Sequence, residues 1–145
     1  MLQPKKIKFR KYRKKRLKFN FETQKKIRFG FLSLKILEPV RITTMQLESS
    51  YRVLTRKIKK NAKVLVCIFP RTPVTSKPSE VRMGKGKGNL DHWATQLKAG
   101  TVIYKIENTK YKSSSPKFRL IKAKAALSAA SSKLPCKCKI MNNNF

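Results

Sequence analysis

The chain has 145 residues, and its 37 Lys and Arg outnumber 6 Asp and Glu to give a formal net charge of +31. Self-repulsion on that scale opposes compaction, so a polyanionic partner is expected, nucleic acid ahead of an anionic membrane surface. A hydrophobic content of 40% excludes a purely disordered basic arm, and no apolar run approaches the roughly 20 residues of a membrane span. Three cysteines, Cys67, Cys136 and Cys138, are an odd number with no secretory leader ahead of them, which implies reducing surroundings.

Residues 1–26 read as a basic RNA-binding extension. Lys5, Lys6, Lys8, Arg10, Lys11, Arg13, Lys14 and Arg16 are interleaved with Phe9, Tyr12, Phe19 and Phe21. Cations neutralise phosphates while rings stack on bases or sugars, a division of labour that a merely solubilising arm has no use for. Such a tail is expected to order on binding. A single α+β domain is expected over residues 27–141, with 142–145 frayed.

Residues 27–37 form a strand-like apolar run, ended by Glu38 and Pro39. Thr43, with Gln46 three residues on, is a capping-box signature. Leu47, Tyr51, Leu54 and Ile58 follow at helical spacing. Arg52, Arg56 and Lys59 share the opposite face, a candidate phosphate-facing stripe rather than an ordinary solvated surface. Residues 63–69 read as a buried strand stopped by Pro70, and the Pro-spaced segment 71–78 is extended.

Residues 82–88, Arg-Met-Gly-Lys-Gly-Lys-Gly, then organise the chain. Alternating glycines let a backbone turn and approach another closely, while Lys85 and Lys87 carry charge on every second position. Arg82 and Met83 add a planar guanidinium and an adaptable apolar side chain. Beyond it, residues 92–98 and 101–106 look like paired strands joined by a two-residue turn at Ala99 and Gly100. After a basic connection at 108–116, Ser115 and Pro116 open a second helix. Leu120, Ala123, Leu127, Ala130 and Leu134 lie on one face of it. A short strand over 136–141 completes a mixed or antiparallel sheet covered mainly on one face by two helices.

The loop fits neither common nucleotide motif. Asn89 follows Gly88 where a phosphate-binding loop requires Lys and then Ser or Thr, and Gly88 comes one place early for a dinucleotide fingerprint. Cys136 and Cys138 are too closely spaced for a zinc knuckle, so no metal or other cofactor is expected. His92 is the sole histidine, and its neighbour Asp91 should point away from it on a strand. No pair of carboxylates suggests acid–base work, so an enzyme is not expected.

The opening Met-Leu-Gln-Pro-Lys, the phrase at 81–88 (Val-Arg-Met-Gly-Lys-Gly-Lys-Gly) and the Lys-Leu-Pro at 133–135 resemble the bacterial-type large-subunit ribosomal protein sixteen family. Phe69-Pro70, Lys77-Pro78 and Trp93 match in the same order. The resemblance implies an α+β domain on large-subunit rRNA, beside neighbouring ribosomal proteins and close to tRNA in the aminoacyl site near the peptidyl transferase centre. Arg82, Met83, Gly84, Gly86 and Gly88 would form the tRNA-proximal loop, and Lys5, Lys6, Lys8, Arg10 and Lys11 the start of the rRNA-binding tail. The chain departs from the family in lacking glycine over 17–27, in carrying Ser33 where a glycine is expected, and in its longer 108–116 connection. Abundant Lys, Asn, Ile and Phe fit an A/T-rich coding genome and suggest an organelle-encoded, mitochondrial member, with plastid or bacterial cytoplasm as alternatives. Outside the ribosome, the competing reading is a general RNA chaperone or DNA-compacting protein.

Overall fold

A computed structural model describes residues 2–13, 17, 32–59, 62–108 and 116–142. The sequence readings at Lys14, Arg16, Phe19, Phe21, 27–31, 109–115 and 143–145 lie outside these. In chain order the elements are β1 (Leu32–Ile36), β2 (Val40–Thr43), α1 (Thr44–Ile58), β3 (Ala62–Val66), β4 (Thr72–Ser76), β5 (Asn89–Leu97), β6 (Val102–Asn108), α2 (Pro116–Ser131) and β7 (Cys138–Asn142).

The α+β class holds, but there are two antiparallel sheets and not one. Sheet A runs β3-β6-β1-β7 and sheet B runs β2-β5-β4. The expected hairpin between 92–98 and 101–106 is not formed: β5 lies between β2 and β4, while β6 lies between β3 and β1. The reason is in the turn. Gly100 adopts φ +93° and donates its N–H to the Ile36 carbonyl at 2.8 Å, while the Ile36 N–H reaches Thr101 O at 2.9 Å. The end of β1 therefore captures the turn and carries the chain from one sheet to the other, with Ala99 buried at the crossing. A two-residue turn signal is local and cannot say which ladder its strands will join.

Helix α1 begins as anticipated. The Gln46 N–H donates to Thr43 Oγ1 at 3.3 Å, and the Thr43 N–H donates to Gln46 Oε1 at 3.0 Å, satisfying two otherwise orphaned donors. Lys59 ends it with φ +52°, its N–H returning to Thr55 O at 2.8 Å. The apolar stripe Leu47, Leu54 and Ile58 enters a core with Leu32, Leu34 and Ile36 of β1 and Tyr104 and Ile106 of β6. Ala123, Ala126, Leu127 and Ala130 of α2 close the same core, small side chains allowing near approach of the helix. Two buried hydroxyls tie the layers: Ser50 donates to Ala130 O at 3.0 Å and Tyr104 donates to Leu47 O at 2.9 Å. Burial pushes the Tyr104 phenol up to about 12, with its hydrogen bond to Ser50 pulling the other way.

Candidate nucleic-acid interface

The loop between β4 and β5 is built by backbone conformations that favour glycine. Gly84 and Gly86 have φ +95° and +83°, and Lys85 between them is held at +51°, a run that ordinary L-residues resist. Gly88 is required for a different reason. A Cβ there would sit 2.2 Å from the Ser76 carbonyl oxygen, at the point where the returning chain presses on the end of β4. Sequence reasoning named close approach as the use of these glycines, and at Gly88 the approach is to the protein's own strand.

Lysine side chains hold the loop open. Lys77 Nζ donates to the Gly84 carbonyl across its neck. Lys11 Nζ donates to Lys87 O at 2.8 Å, and Lys87 Nζ donates back to the Tyr12 carbonyl, so the N-terminal segment and the loop are reciprocally clamped. Lys87, read from sequence as a phosphate ligand, thus also has a structural task, and Lys77 and Lys11 share it. Arg82, Met83 and Lys85 stay fully on the surface, with Met83 at 101% relative exposure. The cationic tip is therefore Arg82 and Lys85.

The described part of the tail lies against the fold. Leu2 packs on the core, and its N–H donates to Glu48 Oε1 of α1 at 2.9 Å. Phe9 and Tyr12 meet edge to face at 5.9 Å, and the Lys8 ammonium lies 5.6 Å from the Phe9 ring centroid. Phe9 and Tyr12, expected to wait for bases, thus have contacts within the chain, while Lys5, Lys6, Lys8, Arg10, Lys11 and Arg13 are exposed. A cavity of about 190 Å³ opens between tail, loop and sheet B, lined by Tyr12, Arg13, Arg41, Thr75, Lys87 and Gln96 among others. Three cations beside the hydrogen-bonding side chains of Tyr12, Thr72, Thr75 and Gln96 make it suited to an anion the size of a phosphate. Arg41 was missed in the sequence, because β2 is too short for alternation to mark its faces.

On α1, Arg52 and Arg56 are exposed one turn apart, whereas Lys59, read from sequence as part of the same stripe, lies past the helix end at φ +52° and leaves the helical spacing. Glu48 is shared, since its Oε2 stands 3.8 Å from the Arg52 guanidinium while Oε1 holds Leu2. Asp91 and His92 correct an expectation: their side chains do not diverge but meet, Oδ2 to Nδ1, at 3.0 Å. The β4–β5 register slips between Val74 and Thr75, so that Val74 faces His92 and Thr75 faces Leu90. Asp91 is the extra residue of a bulge, where the usual alternation of side chains fails. The Cys136 and Cys138 Sγ atoms lie 3.7 Å apart. That contact lowers the Cys136 thiol's pKa and raises that of Cys138, while burial raises Cys67. Among the described residues no three His, Cys, Asp or Glu side chains cluster as metal ligands. None of the described helices is long and apolar enough to cross a membrane.

Residues 4–141 match the family model described as ribosomal protein L16p/L10e. The chain is 44% identical over 141 residues to the large ribosomal subunit protein uL16 of Gluconobacter oxydans, covering 97% of this chain and 96% of that one. It is 42% identical to the uL16 of Mesorhizobium japonicum over 88% of this chain and 93% of that one. Against the uL16 of Psychrobacter arcticus it is 40% identical over 100% and 99%.

Proposed function

The chain belongs to the ribosomal protein L16p/L10e family, and from that premise we propose that its glycine–lysine loop and basic tail seat it on large-subunit rRNA beside the aminoacyl-tRNA site. It is a structural, non-enzymatic constituent of the large ribosomal subunit. Its partners are accordingly rRNA and neighbouring ribosomal proteins.

The mechanism is electrostatic and steric. Arg82 and Lys85 project from a loop whose backbone is held by Lys77 and Lys11, so cations meet phosphates with little ordering left to do on binding. Arg13, Arg41 and Lys87 around the cavity would take one phosphate of the same strand. Lys5, Lys6, Lys8, Arg10 and Lys11, continued by Lys14 and Arg16, extend the contact along the tail. Arg52 and Arg56 on α1, with Lys59 just past its end, add a further basic strip. Met83 and the glycines at 84, 86 and 88 give the tip its tRNA-proximal shape. What carries this reading is the match over residues 4–141 together with a loop that is cationic, exposed and braced from behind. A mitochondrial ribosome is our proposed setting; it rests on the Lys-, Asn-, Ile- and Phe-rich composition, while the relatives named above are bacterial.

The test is sedimentation of a native lysate through sucrose at high salt. Co-migration with large subunits, followed by rRNA and tRNA crosslinks to residues 82–88, is expected. Release into light fractions with unselected RNA or DNA would favour the general nucleic-acid binder. Purified mitochondrial ribosomes lacking the chain would reject the proposed setting alone.

A further inference from the structure

Among the described residues both helices pack on one face of sheet A, leaving the other helix-free, and strand alternation assigns its side chains to the two faces. Leu34 and Ile36 of β1, Tyr104 and Ile106 of β6 and Ile140 of β7 belong to the core, so Lys35, Lys105 and Lys139 project from the other side. The register makes this unusual. Lys35 stands directly opposite Lys139 on the neighbouring strand, and Lys105 stands opposite Ser33, two residues back along β1. Like charges facing each other across an antiparallel pair destabilise it.

None of the three lysines has an ion-pair partner among the described residues, whereas Lys137 nearby pairs with Glu38 at 3.7 Å. Lys63, which also points this way, already faces Glu107 in register. In the middle, Ser33 is fully buried, and its hydroxyl has no hydrogen-bond partner. The three cations on this face lack an acceptor-rich anion.

We propose that the helix-free face of sheet A, through Lys35, Lys105 and Lys139, is a second RNA-binding surface that takes a phosphodiester backbone. It rests on the ribosomal reading above but involves none of the loop, tail or α1 cations. The three ammonium groups are point charges on flexible stems, so the face neutralises phosphates and does not read bases. Phosphate oxygens bridging Lys35 and Lys139 replace their repulsion by attraction.

The register supplies a discriminating variant. Lys139→Glu creates an opposite-charge pair with Lys35, so the free protein should be as stable as wild type or more so, with an unchanged or raised melting temperature. Its binding to deproteinised large-subunit rRNA, titrated with the full-length chain between 50 and 200 mM KCl, should nevertheless weaken by about fivefold to tenfold and lose about one unit of salt slope. Lys139→Arg should restore both. Lys139→Gln, which adds no new charge, should fall between and serves if the Glu variant misfolds. Wild-type affinity and slope in a folded Lys139→Glu or Lys139→Gln chain would overturn the second surface while leaving the ribosomal reading intact. A wild-type chain that does not prefer this RNA over unrelated RNA would overturn both.

Discussion

The glycine–lysine loop and the helix-free face of sheet A present the same functional group on opposite kinds of support. In the loop, Lys85 sits at positive φ between two glycines; lysine-to-carbonyl bonds from Lys77 and Lys11 hold the backbone around it, and Lys87 clamps the loop to Tyr12. On the sheet, Lys105 is flanked in sequence by Tyr104 and Ile106, both fully buried, so the core fixes its position from behind. The difference teaches that a cationic surface can be positioned in two ways. A loop must use some of its own lysines as struts, while a strand borrows rigidity from its reverse face and leaves Lys35, Lys105 and Lys139 without a bracing task.

The sharpest way to break this contrast is at Gly88. Gly88→Ala sets a methyl group against the Ser76 carbonyl, and should cost about 3 kcal/mol, the upper end for overpacking, read as a fall in the urea midpoint. Gly84→Ala meets open space and carries only the left-handed backbone strain, about 1 kcal/mol. Equal losses from the two would mean that close packing on β4 does not hold the loop.

The support behind the sheet is tested next. Tyr104→Phe removes the bond to Leu47 O and should cost about 1–2 kcal/mol. The phenol's pKa is raised on folding, to about 12, so its contribution is fully present below the unfolded value of about 10 and disappears as pH rises toward 12. Wild type should therefore lose stability across that window more steeply than the Phe variant. Parallel pH profiles would show that the phenol does not titrate behind the lysine face.

The smallest expected effect separates strut from ligand within the loop. Lys85→Ala should leave stability within about 0.5 kcal/mol and reduce the RNA salt slope by about 0.7–0.9. Lys87→Ala should additionally speed amide exchange at residues 11–13, because it releases the Tyr12 carbonyl. Identical exchange in the two variants would remove Lys87 from its bracing role.

Much of this protein was legible without coordinates, wherever the signal is local. The capping box at Thr43 and Gln46, the apolar stripe of α1, the proline opening of α2 and the glycine–lysine phrase each follow from a few neighbouring residues, because caps, helical periodicity and positive φ are short-range properties. Charge alone pointed to a polyanion, since +31 needs an outside counter-charge. Pairing was decided only in three dimensions. Whether residues 92–98 join 101–106 depended on β1 capturing Gly100; the meeting of Asp91 and His92 depended on a bulge against β4. That Lys35 faces Lys139, and that Lys87 braces Tyr12 across 75 residues, are likewise long-range facts. Local sequence sets what a segment can be; the competition among distant strands for hydrogen bonds and core contacts sets what it stands beside.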